Sequence, residues 1–199
     1  MELSDVLRRR RMIRAYRPDP VPPEMITKLT EAGRRSPTAG FTQGVSFLVL
    51  DRPADVADFW AATGSAGDEN SWLAGMRSAP VLILVWTSEA AYLDRYAEPD
   101  KGWTDRDPSR WAAPYWWVDA GMAAQTILLA AVDLGLGGCF FGVPPEHQDA
   151  VRARFGVPHD QLSAGVISLG FPAAAGAPGS PSRRPRRPTE DQVRHGRWS

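Results

Sequence analysis

From Tyr115 to Gly137 the chain reads "YWWVDAGMAAQTILLAAVDLGLG", and no other stretch constrains the fold as strongly. It is apolar almost all the way round. A helix without a polar face belongs inside a structure, so the segment predicts a long central buried helix. Gly135 is placed to end it in a left-handed cap. The glycines that follow lead into "GGCFFGV", which reads as a strand.

The remaining elements fall on both sides of this helix. "ELSDVLRRRR" predicts a short N-terminal helix, with Leu3, Val6 and Leu7 on one face. "RAYRPDPVP" is an extended linker. "PPEMITKLTEAGRRS" predicts a helix that starts on proline and carries Glu24 in its first turn. A loop of small and polar residues, "SPTAGFTQG", precedes the strand "VSFLVL". "ADVADFWAAT" and "SWLAGMRS" predict helices, separated by the breaker "GSAGDEN". "APVLILVW" is continuously apolar and predicts a central strand. Thr87–Pro114 reads as a long irregular insert. "PPEHQDAVRARFGVP" predicts an amphipathic helix and "SAGVISLGFP" a last strand. After Pro172 the composition turns to Ala, Gly, Pro, Ser and Arg, which cannot form a core. About four strands among several helices indicate an α+β or α/β domain over residues 1–172, with a coreless extension over 173–199.

The 199 residues suffice to bury roughly 70% of the unfolded surface, so neither disulfide nor metal is needed for a core. With 23 basic and 23 acidic side chains the net charge is zero, against a dedicated nucleic-acid binder. The single cysteine, Cys139, sits in an apolar stretch and fits a reducing compartment. No apolar run reaches membrane-spanning length and no signal peptide opens the chain, so the expectation is a cytoplasmic protein without a membrane partner. His147, His159 and His195 are scattered, and no metal site is expected.

"DLGLGGCFFG" misses the dinucleotide fingerprint. Phe140 occupies the third glycine position, and a helix rather than a strand runs into the glycines. The basic residues carry more information. Arg8 to Arg11 stand in a row, followed by Arg14 and Arg17; a second group, Arg183, Arg184, Arg186 and Arg187, lies near the other end. Helical spacing would put Arg10 and Arg14 on one face, leaving Arg8 and Arg9 to solvent or a dimer contact. Such a run serves as a solvated helix face, a nucleic-acid arm, or half of a phosphate site completed from the opposite terminus, a task that suits the bidentate guanidinium.

Four stretches in order resemble the signatures of the nitroreductase family of flavin (FMN) enzymes. They are "RRMIRAY", "SPTAGFTQGVSFLVL", "GLGGCFFG" and "RRPTEDQVRHGRW". The resemblance implies an α+β fold with a mixed, mainly antiparallel sheet flanked by helices, and an intertwined homodimer with FMN at its interface. The long helix becomes the central dimer helix, and residues 173–199 wrap the partner. By this resemblance Arg10, Arg11 and Arg14 meet the flavin phosphate, ribityl chain or pyrimidine edge. Met12 stands where the family has serine. Pro37, Thr38 and Ala39 touch the partner's ring, with Phe41 in place of asparagine, Gln43 kept, and Gly44-Val45 in place of Pro-Trp. Phe140, Phe141 and Gly142 lie against the isoalloxazine, with a backbone N–H near Gly142 aimed at N5. Arg184 and Arg186 complete the phosphate site.

The activity implied is hydride transfer from NADH or NADPH to FMN, then reduction of a small flat acceptor such as a nitroaromatic or quinone by ping-pong chemistry. That chemistry demands no side-chain acid, so no catalytic residue is assigned. Trp103, Trp111, Tyr115 and Trp116, with Phe41, are candidates for the acceptor pocket under a lid formed by Thr87–Pro114; plain packing is the competing role. Alternatives within the same superfamily are a specialised biosynthetic reductase or oxidase, a reduced-flavin-cleaving enzyme of the dimethylbenzimidazole synthase type, and a non-enzymatic flavin-sequestering protein.

Overall fold

Strand β2 (Val81–Thr87) is buried along its whole length. Its alternate residues serve two cores. Val81, Ile83 and Val85 join one apolar cluster, and Leu82, Leu84 and Trp86 join the other. Side chains alternate across a strand, so an unbroken apolar run is what a strand covered on both faces requires. The chain is described here from a computed structural model covering residues 1–64, 71–174 and 184–198.

Four strands form one sheet in the order β1-β2-β4-β3. β1 (Val45–Leu50), β2, β4 (Leu162–Gly170) and β3 (Gly137–Phe141) are joined by antiparallel ladders throughout. A single parallel bridge, Met12 to Gly138, adds the N-terminal arm outside β3 and gives the sheet its mixed character. One face is covered by α2 (Pro23–Arg34) and α6 (Tyr115–Asp133), through Leu29, Ile127 and Leu128 against Ile83 and Ile167. The other is covered by α3 (Pro53–Ala62), α4 (Ser71–Arg77) and α7 (Pro145–Phe155), through Phe59, Trp60, Met76 and Val151. This is the α+β architecture expected.

Three expectations change. The N-terminal helix α1 is shorter than its pattern, Leu3–Arg9, and Arg10 already has extended backbone (φ −54°, ψ 122°). Arg10 and Arg14 therefore do not share a helical face, because pairing with β3 draws the chain out straight. Second, Thr87–Pro114 is not irregular throughout. It opens with helix α5 (Glu89–Ala97), capped by Ser88, whose hydroxyl accepts from the Ala91 N–H, and contains a short turn of 3₁₀ helix at Pro108–Arg110. Third, α6 is buried on one side only. Ala120, Ala124, Ile127 and Ala131 pack inward, while Trp117, Val118 and Met122 are each more than a third exposed. The basic residue Arg183 and the segments 65–70 and 175–183 lie outside the described residues.

The glycines after α6 now have separate roles. Gly135 (φ +76°) closes the helix, and the Leu136 N–H returns to the Ala131 carbonyl (2.8 Å), as a left-handed cap requires. Gly137 makes room for the arm, since a Cβ there would stand 2.8 Å from Ile13 Cβ. Gly137→Ala is thus expected to push the arm off β3 and to lower stability by about 1–3 kcal/mol, the usual cost of an overpacked contact. Urea unfolding of the purified variant measures this.

Candidate functional site

The arm from Arg10 to Arg17 is held by backbone hydrogen bonds at each end. The Ile13 N–H donates to the Gly138 carbonyl (3.0 Å), and the Arg17 N–H to the Phe171 carbonyl (2.9 Å); the Ala173 N–H returns to Ala15 (3.0 Å). Between them lies Tyr16, a residue that sequence reasoning did not single out. Its backbone N–H donates to Ser78 Oγ (3.0 Å). Its buried hydroxyl donates to the Ile13 carbonyl (2.5 Å). With its one proton so used, the oxygen accepts from Ser168 Oγ (2.7 Å). Burial pushes the Tyr16 hydroxyl well above its ordinary range, the Ser168 hydrogen bond opposing weakly.

This arm carries four predicted residues. Arg10 and Arg14 are half-buried and Arg11 is exposed. Among the described residues none of the three makes an ion pair with a carboxylate. Arg11 donates instead to the carbonyls of Arg8 (2.6 Å) and Arg10 (2.9 Å). Arg14 donates to the Met12 carbonyl at 3.3 Å, and its Nε is buried without a partner. It lies close enough to Cys139 to pull that thiol's pKa down, but burial is the larger influence and keeps the thiol raised. Cys139 is a buried residue of β3, as expected of a small core side chain.

The same sheet edge carries Phe140, Phe141 and Gly142. Phe140 leans on the α2/α6 cluster; Phe141 turns to the other face and stacks on Trp60 (5.7 Å, 7° between planes). Gly142 is exposed just beyond the strand, and a Cβ there would meet nothing within 4 Å. Arg10, Arg11, Met12, Arg14, Phe140, Phe141 and Gly142 are thus brought to one edge.

The other predicted residues lie elsewhere. The loop from Pro37 to Gln43 sits against α5 and α6. Gly40, Phe41 and Gln43 all have positive φ (62°, 56° and 56°), and Phe41 is 76% exposed. Positive φ costs a non-glycine residue energy, so such a loop persists only where its surroundings over-determine it. Here they do. The Gln43 N–H donates to Thr38 Oγ1 (2.9 Å), Arg95 Nε to the Gly40 carbonyl (2.9 Å), and the Ala39 N–H to Asp119 Oδ2 (2.8 Å).

Asp119 is buried on α6 and also accepts from the Tyr92 hydroxyl (2.7 Å). That hydroxyl is pushed up, by burial first and by the Asp119 carboxylate second. Neither residue was singled out from sequence. The signal was present: Asp119 is the lone charge in the helix before its last residue, Asp133.

The tryptophans gather beside this loop. Trp111 contacts Tyr96 (4.3 Å), Trp103 (5.5 Å), Tyr115 (5.7 Å) and Trp116 (6.2 Å). A Cβ on Gly40 would stand 2.6 Å from the Tyr96 ring, so Phe41 and the aromatic cluster form one neighbourhood. Arg184 and Arg186 are exposed in the C-terminal segment. No hydrogen bond or ion pair among the described residues joins them to the arm.

A four-stranded antiparallel sheet, helices on both faces and an arginine-bearing arm along its edge define an α+β domain with a basic edge. The family model of the Nitroreductase family matches residues 7–171, and the chain belongs to that family. A relative from Methanothermobacter thermautotrophicus, named "Putative NADH dehydrogenase/NAD(P)H nitroreductase", is 30% identical over 176 residues, which are 87% of this chain and 78% of the relative. A solved structure described as a "putative nitroreductase in complex with FMN", from Desulfovibrio desulfuricans, is 25% identical with a TM-score of 0.71, covering 100% of this chain and 99% of that one. The nitroreductase CinD of Lactococcus lactis, in complex with nicotinic acid, has the same fold at 21% identity and a TM-score of 0.77, covering 98% and 100%.

Tyr16 and Tyr92 set an alkaline limit. Each folded-state pKa is raised, so the stability they lend is complete below the unfolded tyrosine value of about 10 and is lost as pH climbs above it. Thermal unfolding across pH 8 to 11 (chosen to bracket that value of about 10) is expected to show falling stability at the alkaline end. Tyr16→Phe is expected to flatten that fall.

Proposed function

We propose that the chain is an FMN-dependent oxidoreductase that draws hydride from NADH or NADPH and passes it to a small flat acceptor. The observation that carries this reading is the arm. Three arginines that among the described residues have no carboxylate partner lie along the edge strand, and Arg14 keeps a buried Nε without a partner. An unpaired buried donor on a cation calls for an acceptor. The residues present therefore fit an anionic cofactor with acceptor atoms along one edge.

In this reading Arg10 and Arg11 offset the phosphate charge through charge-assisted hydrogen bonds. Arg14 would stabilise the negative charge that a reduced flavin ring carries. Gly142 is exposed and leaves open space beside its backbone, which would let a flat ring approach the end of β3. Met12 supplies no hydroxyl and contributes apolar contact only. FMN bound there would supply two-electron hydride chemistry between a nicotinamide and the acceptor. The protein's work is to hold the ring, keep water out and stabilise charge.

The loop bearing Pro37, Thr38, Ala39, Phe41 and Gln43 packs on α5 and α6. We assign it to the site of a second copy in a homodimer. The exposed apolar face of α6 at Trp117, Val118 and Met122 supports this, continued by Leu3 (65% exposed) and Leu7 (55%) on α1, which packs on α6. Residues 184–198 reach the partner in the same arrangement, bringing Arg184 and Arg186 to the phosphate; Trp198, 86% exposed, is the apolar anchor. Phe41, Trp103, Trp111, Tyr115 and Trp116 then form the acceptor side of the pocket.

Purified protein is expected to be yellow and to release FMN on denaturation. Arg10→Gln and Arg14→Gln are each expected to weaken FMN binding by roughly 10- to 100-fold, the cost of a lost hydrogen bond to a charged group. Colourless protein that also fails to take up added FMN would falsify the cofactor. Yellow protein bleached by neither NADH nor NADPH would count against the reductase and favour flavin storage. Sedimentation should show a dimer, and Met122→Lys on α6 should shift it toward monomer.

A further inference from the structure

A cavity of about 600 Å³ opens on the α3 side of the molecule. The Pro18–Val21 linker, α3 and the start of β2 enclose it, and Arg77, the last residue of α4, forms part of its wall. None of the residues assigned above to flavin or acceptor lines it. The walls are apolar, chiefly proline, Val56, Ala57 and Trp60, and the volume falls in the range of small-molecule sites.

Two buried groups in this wall lack partners. Arg77 makes no hydrogen bond or ion pair among the described residues, and its Nε and Nη2 are closed off from solvent. The Trp60 indole N–H is likewise buried and unpaired. Both are donors. Two guanidinium nitrogens kept from water and given no acceptor, on a side chain that is half-buried, are a costly arrangement that an anion would relieve. Asp51, the other charged lining residue, imposes no such demand. It is exposed to water, with the Arg52 charge close enough to interact.

We propose that this cavity binds a small monocarboxylate with an apolar or aromatic body, its carboxylate paired with Arg77. Planar, bidentate pairing is what guanidinium offers a carboxylate. A phosphate would need more donors than this wall holds. Four of the lining residues, Pro18, Pro20, Pro53 and Pro80, have no N–H, and the only buried unpaired side-chain donors lining it belong to Arg77 and Trp60. The apolar body lies against Val56, Ala57 and Trp60. Trp60 in turn stacks on Phe141, so the occupied cavity adjoins the inner side of β3.

The test uses sodium benzoate as probe on FMN-loaded protein, with benzyl alcohol and inorganic phosphate as controls, read by ligand-observed NMR. Benzoate is expected to bind more tightly than either control. Arg77→Met is expected to weaken it roughly tenfold or more, and Ala57→Trp, which fills the cavity, to abolish it. Arg77→Met should also raise the melting temperature of the ligand-free protein, because it removes an unpaired buried charge. A merely structural arginine would lower it. Flavin absorbance in the same titration separates benzoate stacked on the ring, which neither substitution would displace. The proposal is overturned if benzoate binding is absent, if it survives both substitutions, if phosphate binds as tightly, or if Arg77→Met destabilises the ligand-free protein.

Discussion

The Tyr16 hydroxyl is the point on which the candidate site depends. It lies buried between the Ile13 carbonyl and Ser168 Oγ. One bond fixes the arm internally; the other fixes it to β4 near its C-terminal end. Each such bond is worth about 1 kcal/mol net, and the cost of leaving its buried partners unmade is larger. Ser78, at the end of α4, holds the backbone of the same residue. One tyrosine thus ties the N-terminal arm to α4 and to the sheet, and the arginines on either side take their positions from it.

A buried carboxylate does comparable work at the opposite side of α6. Asp119 accepts from the Ala39 N–H and the Tyr92 hydroxyl, at a position where an unpaired charge would be expensive. The energy recovered there helps hold a loop with positive φ at Gly40, Phe41 and Gln43. Phe41 is left exposed, with a positive φ that the surrounding hydrogen bonds maintain.

The insert between β2 and α6 joins these two themes. Its helix α5 supplies Tyr92 to Asp119, Arg95 to Gly40 and Tyr96 to the tryptophan cluster. Arg95 is itself held by paired hydrogen bonds to Asp100 (2.7 and 2.8 Å), within the same insert. The tryptophans are therefore packed against a fixed platform as well as lying beside Phe41.

The sequence by itself determined the family and most of the elements, helix α5 excepted. Unbroken apolar character marked β2 as central, and the residues of "GLGGCFFG" ran from helix cap to edge strand in the order observed. Those features are local: period, capping and glycine placement act over a few residues. The sequence also showed the arginine run, but helical spacing was the wrong guide to it. Whether residues 10–14 coil or extend is decided by the unpaired edge of β3, more than a hundred residues away, which offers the Gly138 carbonyl to the Ile13 N–H. The partnerships of Tyr16 with Ser168 and of Asp119 with Ala39 are equally non-local, and composition carries no trace of who meets whom. The empty-handed Arg77 is the extreme case: as a residue in a string it is one arginine among many. Only the folded chain sets it in an apolar wall with its Nε and Nη2 shut off from solvent and, among the described residues, without an acceptor.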